Sequence, residues 1–77
     1  MRKRTKSMYI KFHVKEIAEQ KDISRTKLSR RAEINYATIN ALWNNESKDA
    51  MTQTLAKIAR VLNCKISELY TVMDDEI

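Results

Sequence analysis

Residues 23–45 read ISRTKLSRRAEINYATINALWNN, and this stretch decides the fold. Ser24 stands where a helix N-cap belongs, its hydroxyl placed to accept from the first backbone N–H groups of a helix over residues 25–31. Leu28 and Ala32 share the inward side of that helix, and the small Ser29 lets a neighbouring helix come close. Residues 32–34 then leave room only for a tight connection. Asn35 caps a further helix over residues 36–43, with Ile39 and Leu42 on its inward edge and Tyr36, Ala37, Asn40 and Ala41 on or near its outer face. Asn44 and Asn45 end it, because asparagine tolerates the left-handed backbone that a helix C-terminus often needs.

Outward from this stretch, Ile10, Val14, Ile17 and Ala18 recur with helical spacing and predict a first helix over residues 9–20, ending near Lys21 and Asp22. Leu55, Ile58, Ala59 and Leu62 give the core stripe of a helix over residues 52–62, capped by Asp49 or Thr52. Ile66 and Leu69 predict a short fifth helix over residues 66–70. The expected chain is therefore all-α. It has a basic arm over residues 1–8, a five-helix domain over 9–70 and a frayed acidic tail over 71–77.

Composition narrows the chemistry. Seventy-seven residues make one domain, and the chain has neither Gly nor Pro. Glycine-rich phosphate loops, dinucleotide fingerprints and G-x-S-x-G elbows are excluded, since each needs glycine backbone. The single Cys64 forms no intramolecular disulfide and fits a reducing compartment, packing as a small hydrophobe. One His and one Cys do not make a Cys/His zinc site, and His13 reads as a surface imidazole. No uninterrupted apolar run exceeds three residues, so neither a membrane helix nor a signal-peptide core is expected, and the reading is a cytoplasmic protein. No cofactor, small-molecule ligand or enzymatic activity is expected.

The net charge of +5 is unevenly spread. Residues 1–31 carry eleven Lys and Arg against three Asp and Glu, while residues 32–77 carry four against seven. Such asymmetry suits a polyanion partner. Two short helices joined by a tight turn, the second with a small polar outer face, form the helix-turn-helix pattern. The first helix braces the second, whose N-terminal end reaches base edges in the major groove of double-stranded DNA. An Asn amide there both donates to and accepts from adenine, and an Ala contacts a thymine methyl.

The stretch over residues 23–45, followed by TLAKIARVLNCKISELY, resembles the lambda-repressor-like (Cro/CI-type, or Xre-type) DNA-binding family over about residues 10–70. Positions Leu28, Ile34, Ile39, Leu42, Leu55, Ile58 and Leu62 match its hydrophobic pattern. The resemblance implies a lambda-repressor-like five-helix domain that regulates transcription as a repressor. It also implies a homodimer on a two-fold operator, with the fourth or fifth helix and the tail as its contact surface. Arg25, Asn35, Tyr36, Ala37 and Asn40 fall where the family contacts bases. Thr38, Asn44, Asn45 and Lys48 fall where it grips phosphate, with Ser24 and Lys27 beside them at the bracing helix. Arg2, Lys3, Arg4 and Lys6 either reach around the duplex or make no contact. When bound, such a protein sits on the nucleoid.

Three departures from the family matter. Glu33 stands where Gly is usual in the inter-helix turn, at a cost of about 1 kcal/mol if its backbone is left-handed. Ser29 replaces the usual Ala, and Trp43 and Asn45 stand where a charged residue and Gly are frequent. Trp43 either caps the core or stacks on a sugar–phosphate edge. The competing function is a protein-interaction module, such as an antitoxin-like or adaptor subunit. The polar, Asn-rich face of residues 36–43 speaks against it, because interface cores are depleted of charge and rich in aromatics. RNA binding would want several aromatics on a sheet or groove for base stacking, and this chain has few.

Overall fold

The computed structural model describes residues 7–47 and 50–75. In chain order these form strand β1 (Ser7–Phe12), helices α1 (Val14–Gln20), α2 (Arg25–Ala32), α3 (Tyr36–Trp43) and α4 (Thr52–Leu62), a 3-10 turn (Ile66–Glu68) and strand β2 (Tyr70–Asp75). The helices over 25–31, 36–43 and 52–62 stand where the sequence places them, α2 running one residue further.

The all-α, five-helix expectation is corrected at both ends. The helix expected over residues 9–20 begins only at Val14, capped by His13, and residues 9–12 belong to β1. The expected fifth helix is a three-residue 3-10 turn, and the tail expected to fray runs as β2 to Asp75. The strands pair antiparallel, with Ser7 opposite Asp75, Ile10 opposite Val72 and Phe12 opposite Tyr70. The expected arm and tail boundaries thus fall within or at the start of strands. Ile10 and Phe12 also alternate with period two, and short apolar segments fit either period. Pairing between the two ends of the chain decides for strand, where aromatic and β-branched residues pack well. Phe12 is fully buried at the root of the sheet.

Around Phe12 the core gathers Val14 and Ala18 of α1, Leu28 of α2, Ile39 and Leu42 of α3, four residues of α4, and Leu69. Ile58 and Leu62 are completely covered, as the α4 stripe requires. Helix α2 packs on both α3 and α4, and α1 on α3.

A chain without glycine must still end its helices. Among the described residues, all four α-helices do so through one left-handed residue: Asp22 (φ 58°), Glu33 (57°), Asn45 (57°) and Asn63 (54°). Beyond each, the next N–H reaches back five residues: Ile23 to Ala18 (2.9 Å), Ile34 to Ser29 (3.1 Å), Glu46 to Ala41 (2.8 Å) and Cys64 to Ala59 (3.0 Å). This is the Schellman arrangement, which satisfies carbonyls left over at the helix end. Ile23, Ile34 and Cys64 then turn onto the core, supplying the apolar contact that accompanies the motif. At the other ends Ser24 and Asn35 cap α2 and α3 as expected. Helix α4 is different: its N-cap is Met51, with Thr52 the first helical residue, and Asp49 lies outside the described residues.

Two side chains tie the sheet to the helices. Asn45 Oδ1 accepts from the Phe12 N–H at 2.6 Å, and its Nδ2 donates to the Phe12 carbonyl at 3.0 Å. One amide thereby continues the edge of β1 as a strand would. His13, at the N-cap of α1, donates its backbone N–H to Leu69 and shares a 2.6 Å hydrogen bond with Thr71 Oγ1. The imidazole expected at a helix surface is therefore a pin between α1 and β2. Asn45→Gly separates the clasp from its backbone, since Gly accepts φ 57° without strain. We expect it to lower stability by about 1–3 kcal/mol in urea unfolding, because the Phe12 peptide loses both partners. Unchanged stability would show that the clasp contributes nothing.

Candidate nucleic-acid interface

The turn between α2 and α3 sets the presentation of α3. Glu33 adopts φ 57°, ψ 46°, so the position where the resemblance places Gly is indeed left-handed. Ser29 holds this turn twice. Its carbonyl accepts from the Ile34 N–H at 3.1 Å, and its hydroxyl donates to the Ile34 carbonyl at 2.6 Å. Both polar groups of Ile34 are thereby fixed to one residue of the preceding helix. Alanine could supply only the first bond. Two departures from the family pattern meet here: Ser29 adds a bond where Glu33 adds strain.

The start of α2 is fixed by Ser24, whose hydroxyl accepts from the Lys27 N–H at 3.2 Å, while the Lys27 side chain is exposed. The start of α3 is fixed by Asn35, whose Oδ1 accepts from the Ala37 N–H at 2.7 Å. At 100° per residue, Ile39 and Leu42 point α3 inward. Ala37, Ala41 and Asn44 then lie along its outward crest, with Tyr36, Asn40 and Trp43 down one flank and Thr38 on the other. Tyr36 is 45% exposed, and Ala37, Thr38 and Asn44 are exposed.

Along the Tyr36 flank lies Arg25, the first residue of α2. Its Nη1 donates to Asn40 Oδ1 at 2.7 Å, and its guanidinium carbon sits 5.7 Å from the Trp43 ring centroid. Trp43 is half-buried and packs against the core cluster. It takes up the cap role that the sequence left open, and its face also carries a cation. Arg25 and Trp43, with Ser24, Lys27, Glu19 and Asp22, line an open groove of about 560 Å³ beside the start of α2.

The structure places Ser24, Arg25 and Lys27 at the start of α2, and Asn35, Tyr36, Ala37, Thr38, Asn40 and Asn44 along α3 and its caps, and it joins Arg25 to Asn40. Asn45 differs, because its side chain is engaged by Phe12. Lys48 and the arm residues Arg2, Lys3, Arg4 and Lys6 lie outside the described residues. Sequence reasoning missed the second bond of Ser29 and the cation over Trp43. The three-residue spacing of Asn40 and Trp43 was the only signal for the latter. Burial raises the Cys64 thiol pKa, Glu68 adding to the effect and Lys21 opposing it, as suits a packing residue. Among the described residues, no helix is long and apolar enough to cross a membrane, and no His, Cys, Asp and Glu group could hold a metal ion.

Two substitutions test the turn by thermal unfolding. Ser29→Ala is expected to cost about 1 kcal/mol through the lost hydroxyl bond. Glu33→Gly is expected to add up to about 1 kcal/mol, because the left-handed strain goes and an acidic charge leaves a helix C-terminus. For a domain of this size each shifts Tm by roughly 4–8 °C. The same sign for both would contradict this account of the turn.

A comparison with curated protein sequences found no match. Among solved structures, the crystal structure of the transcriptional regulator VanUg, Form II, superposes with a TM-score of 0.75. It is 13% identical, and the match covers 97% of this chain and 99% of that one. At that identity the likeness is one of fold. A family model described as the Cro/C1-type HTH DNA-binding domain matches residues 13–75, which holds α2, the Glu33 turn and α3. The chain belongs to the Cro/C1-type helix-turn-helix DNA-binding domain family.

Proposed function

We propose that the chain is a sequence-specific regulator of transcription, a repressor, that reads double-stranded DNA by laying α3 in the major groove. The observation that carries this reading is the outward crest of α3, the small residues Ala37 and Ala41 with Asn44 and the neighbouring Asn40, presented by the Ser29–Ile34 turn. Tyr36, Ala37 and Asn40 face base edges, with Asn35 and Arg25 at the margin. Ser24, Lys27, Thr38 and Asn44 grip phosphate, joined by Lys48 and by the basic tract Arg2, Lys3, Arg4 and Lys6. Asn45 serves the sheet instead.

A single copy offers few base contacts, so a homodimer spanning two half-sites completes the reading. Tyr9, Met51 and Val72 are exposed apolar side chains outside α2 and α3, available to such a contact. The protein works on the nucleoid within the cytoplasm and needs no cofactor. An antitoxin-like or adaptor role is less well supported, because Tyr36 is the lone large apolar side chain exposed on α3.

Fluorescence anisotropy with specific and random duplexes at several salt concentrations tests the proposal. Tyr36→Ala and Asn40→Ala should shrink the ratio of specific to random affinity. Lys27→Ala and Lys48→Ala should weaken every duplex alike and lower the salt slope by about one each. Binding indifferent to salt, or a ratio unmoved by both α3 variants, would overturn it.

A further inference from the structure

The outer edge of β1 is open beyond Phe12. Asn45 binds both the N–H and the C=O of Phe12, so both groups turn away from β2. His13, the next residue, donates instead across the sheet to the Leu69 carbonyl. Along an antiparallel pair, residues that exchange bonds alternate with residues that face outward. Ile10 lies two residues before Phe12, opposite Val72, so its N–H and C=O turn to the same edge as the Asn45 amide. Neither has a hydrogen-bond partner among the described residues. An open cavity of about 300 Å³ borders this edge, lined by Tyr9, Ile10, Lys11 and Asn45. Lys11 is exposed, and no acidic side chain shares that lining. Residues 1–15 carry six Lys and Arg and no Asp or Glu, so the surroundings favour an anion.

We propose that Lys11 and the Ile10 N–H grip a phosphate of the DNA backbone, next to the one that Asn44 holds at the end of α3. The inference rests on the DNA-binding reading above and extends its interface onto the sheet. Asn45 sets the distance. It follows Asn44 directly, about 3.8 Å along the chain, and clasps the edge at Phe12. Each DNA strand carries one phosphate per about 3.4 Å of axis, so a backbone held at Asn44 brings a further phosphate to this edge. A lysine ammonium and a backbone N–H are both ordinary phosphate donors. A phosphate takes the Ile10 N–H and leaves the carbonyl to water, whereas a third strand would take both. The nearness of Asn44 and the basic charge around the edge favour the phosphate.

Phosphate-ethylation interference on a selected duplex tests this with the full chain, comparing wild type, Asn44→Ala, Lys11→Gln and Lys11→Arg. Each variant that drops a phosphate contact stops responding to ethylation at that phosphate. Lys11→Gln is expected to lose one phosphate signal, adjoining the one that Asn44→Ala loses. It should also lower the salt slope by about one at unchanged Tm. Lys11→Arg should keep both. The Ile10 amide proton should exchange freely in the free chain and be protected in the complex. Any other ethylation pattern, including a lowered slope with no phosphate lost, would overturn the inference and leave the DNA-binding reading intact. Ile10 protection in the free chain that grows with protein concentration would overturn it too, as the mark of a third strand from a second copy. If wild type binds no duplex in a salt-dependent way, the DNA-binding reading itself fails and the inference falls with it.

Discussion

Glu33 holds a left-handed backbone, φ 57°, between two helices in a chain that has no glycine to place there. The angle between α2 and α3 passes through this residue, and so does the direction in which α3 shows its outer face. The strain is of the order of 1 kcal/mol, comparable to a single net hydrogen bond. Ser29 supplies such a bond, its hydroxyl reaching the Ile34 carbonyl while its own carbonyl holds the Ile34 N–H. A turn that would otherwise relax is thus closed on both sides. Ile34, one residue past the strain, then anchors on the core.

The same solution recurs at the C-terminal end of each α-helix among the described residues. Asp22, Asn45 and Asn63 repeat the left-handed stop, and each is followed by a bond reaching back five residues. Asn and Asp bear this backbone with less strain than Glu, so the greatest strain falls at the functional turn. At Asn45 the residue has a second task, since its amide holds the Phe12 peptide. The end of α3 is thereby coupled to the sheet, and the sheet through Phe12 to the core. The terminal strands brace α3 from the end opposite Ser29.

The helix-turn-helix region was legible in the sequence because its signals are local. Ser24 and Asn35 announce their caps, Leu28, Ile39 and Leu42 mark the inward faces, and Asn45 marks a stop. The terminal strands were not legible, because their stabilisation is non-local. Ile10 fits the helical period with Val14 and Ile17 and equally the strand period with Phe12, and the deciding partner, Tyr70–Asp75, lies at the far end of the sequence. The site divides in the same way. The exposed residues of α3 follow from periodicity, whereas the pairing of Arg25 with Asn40 and Trp43 joins positions on two helices and depends on how these cross. Ser29 was read by its volume alone, since its hydroxyl bond exists only once the turn is folded.

In the function proposed above, the face of α3 beyond the Glu33 turn meets duplex DNA together with the start of α2. Amide chemical-shift mapping during titration with a selected duplex tests it most directly. The largest shifts are expected at residues 24–27 and 35–44, with residues 58–62 in the core of α4 undisturbed. Shifts concentrated on the sheet, at residues 9–11 and 71–73, with α3 silent, would contradict it.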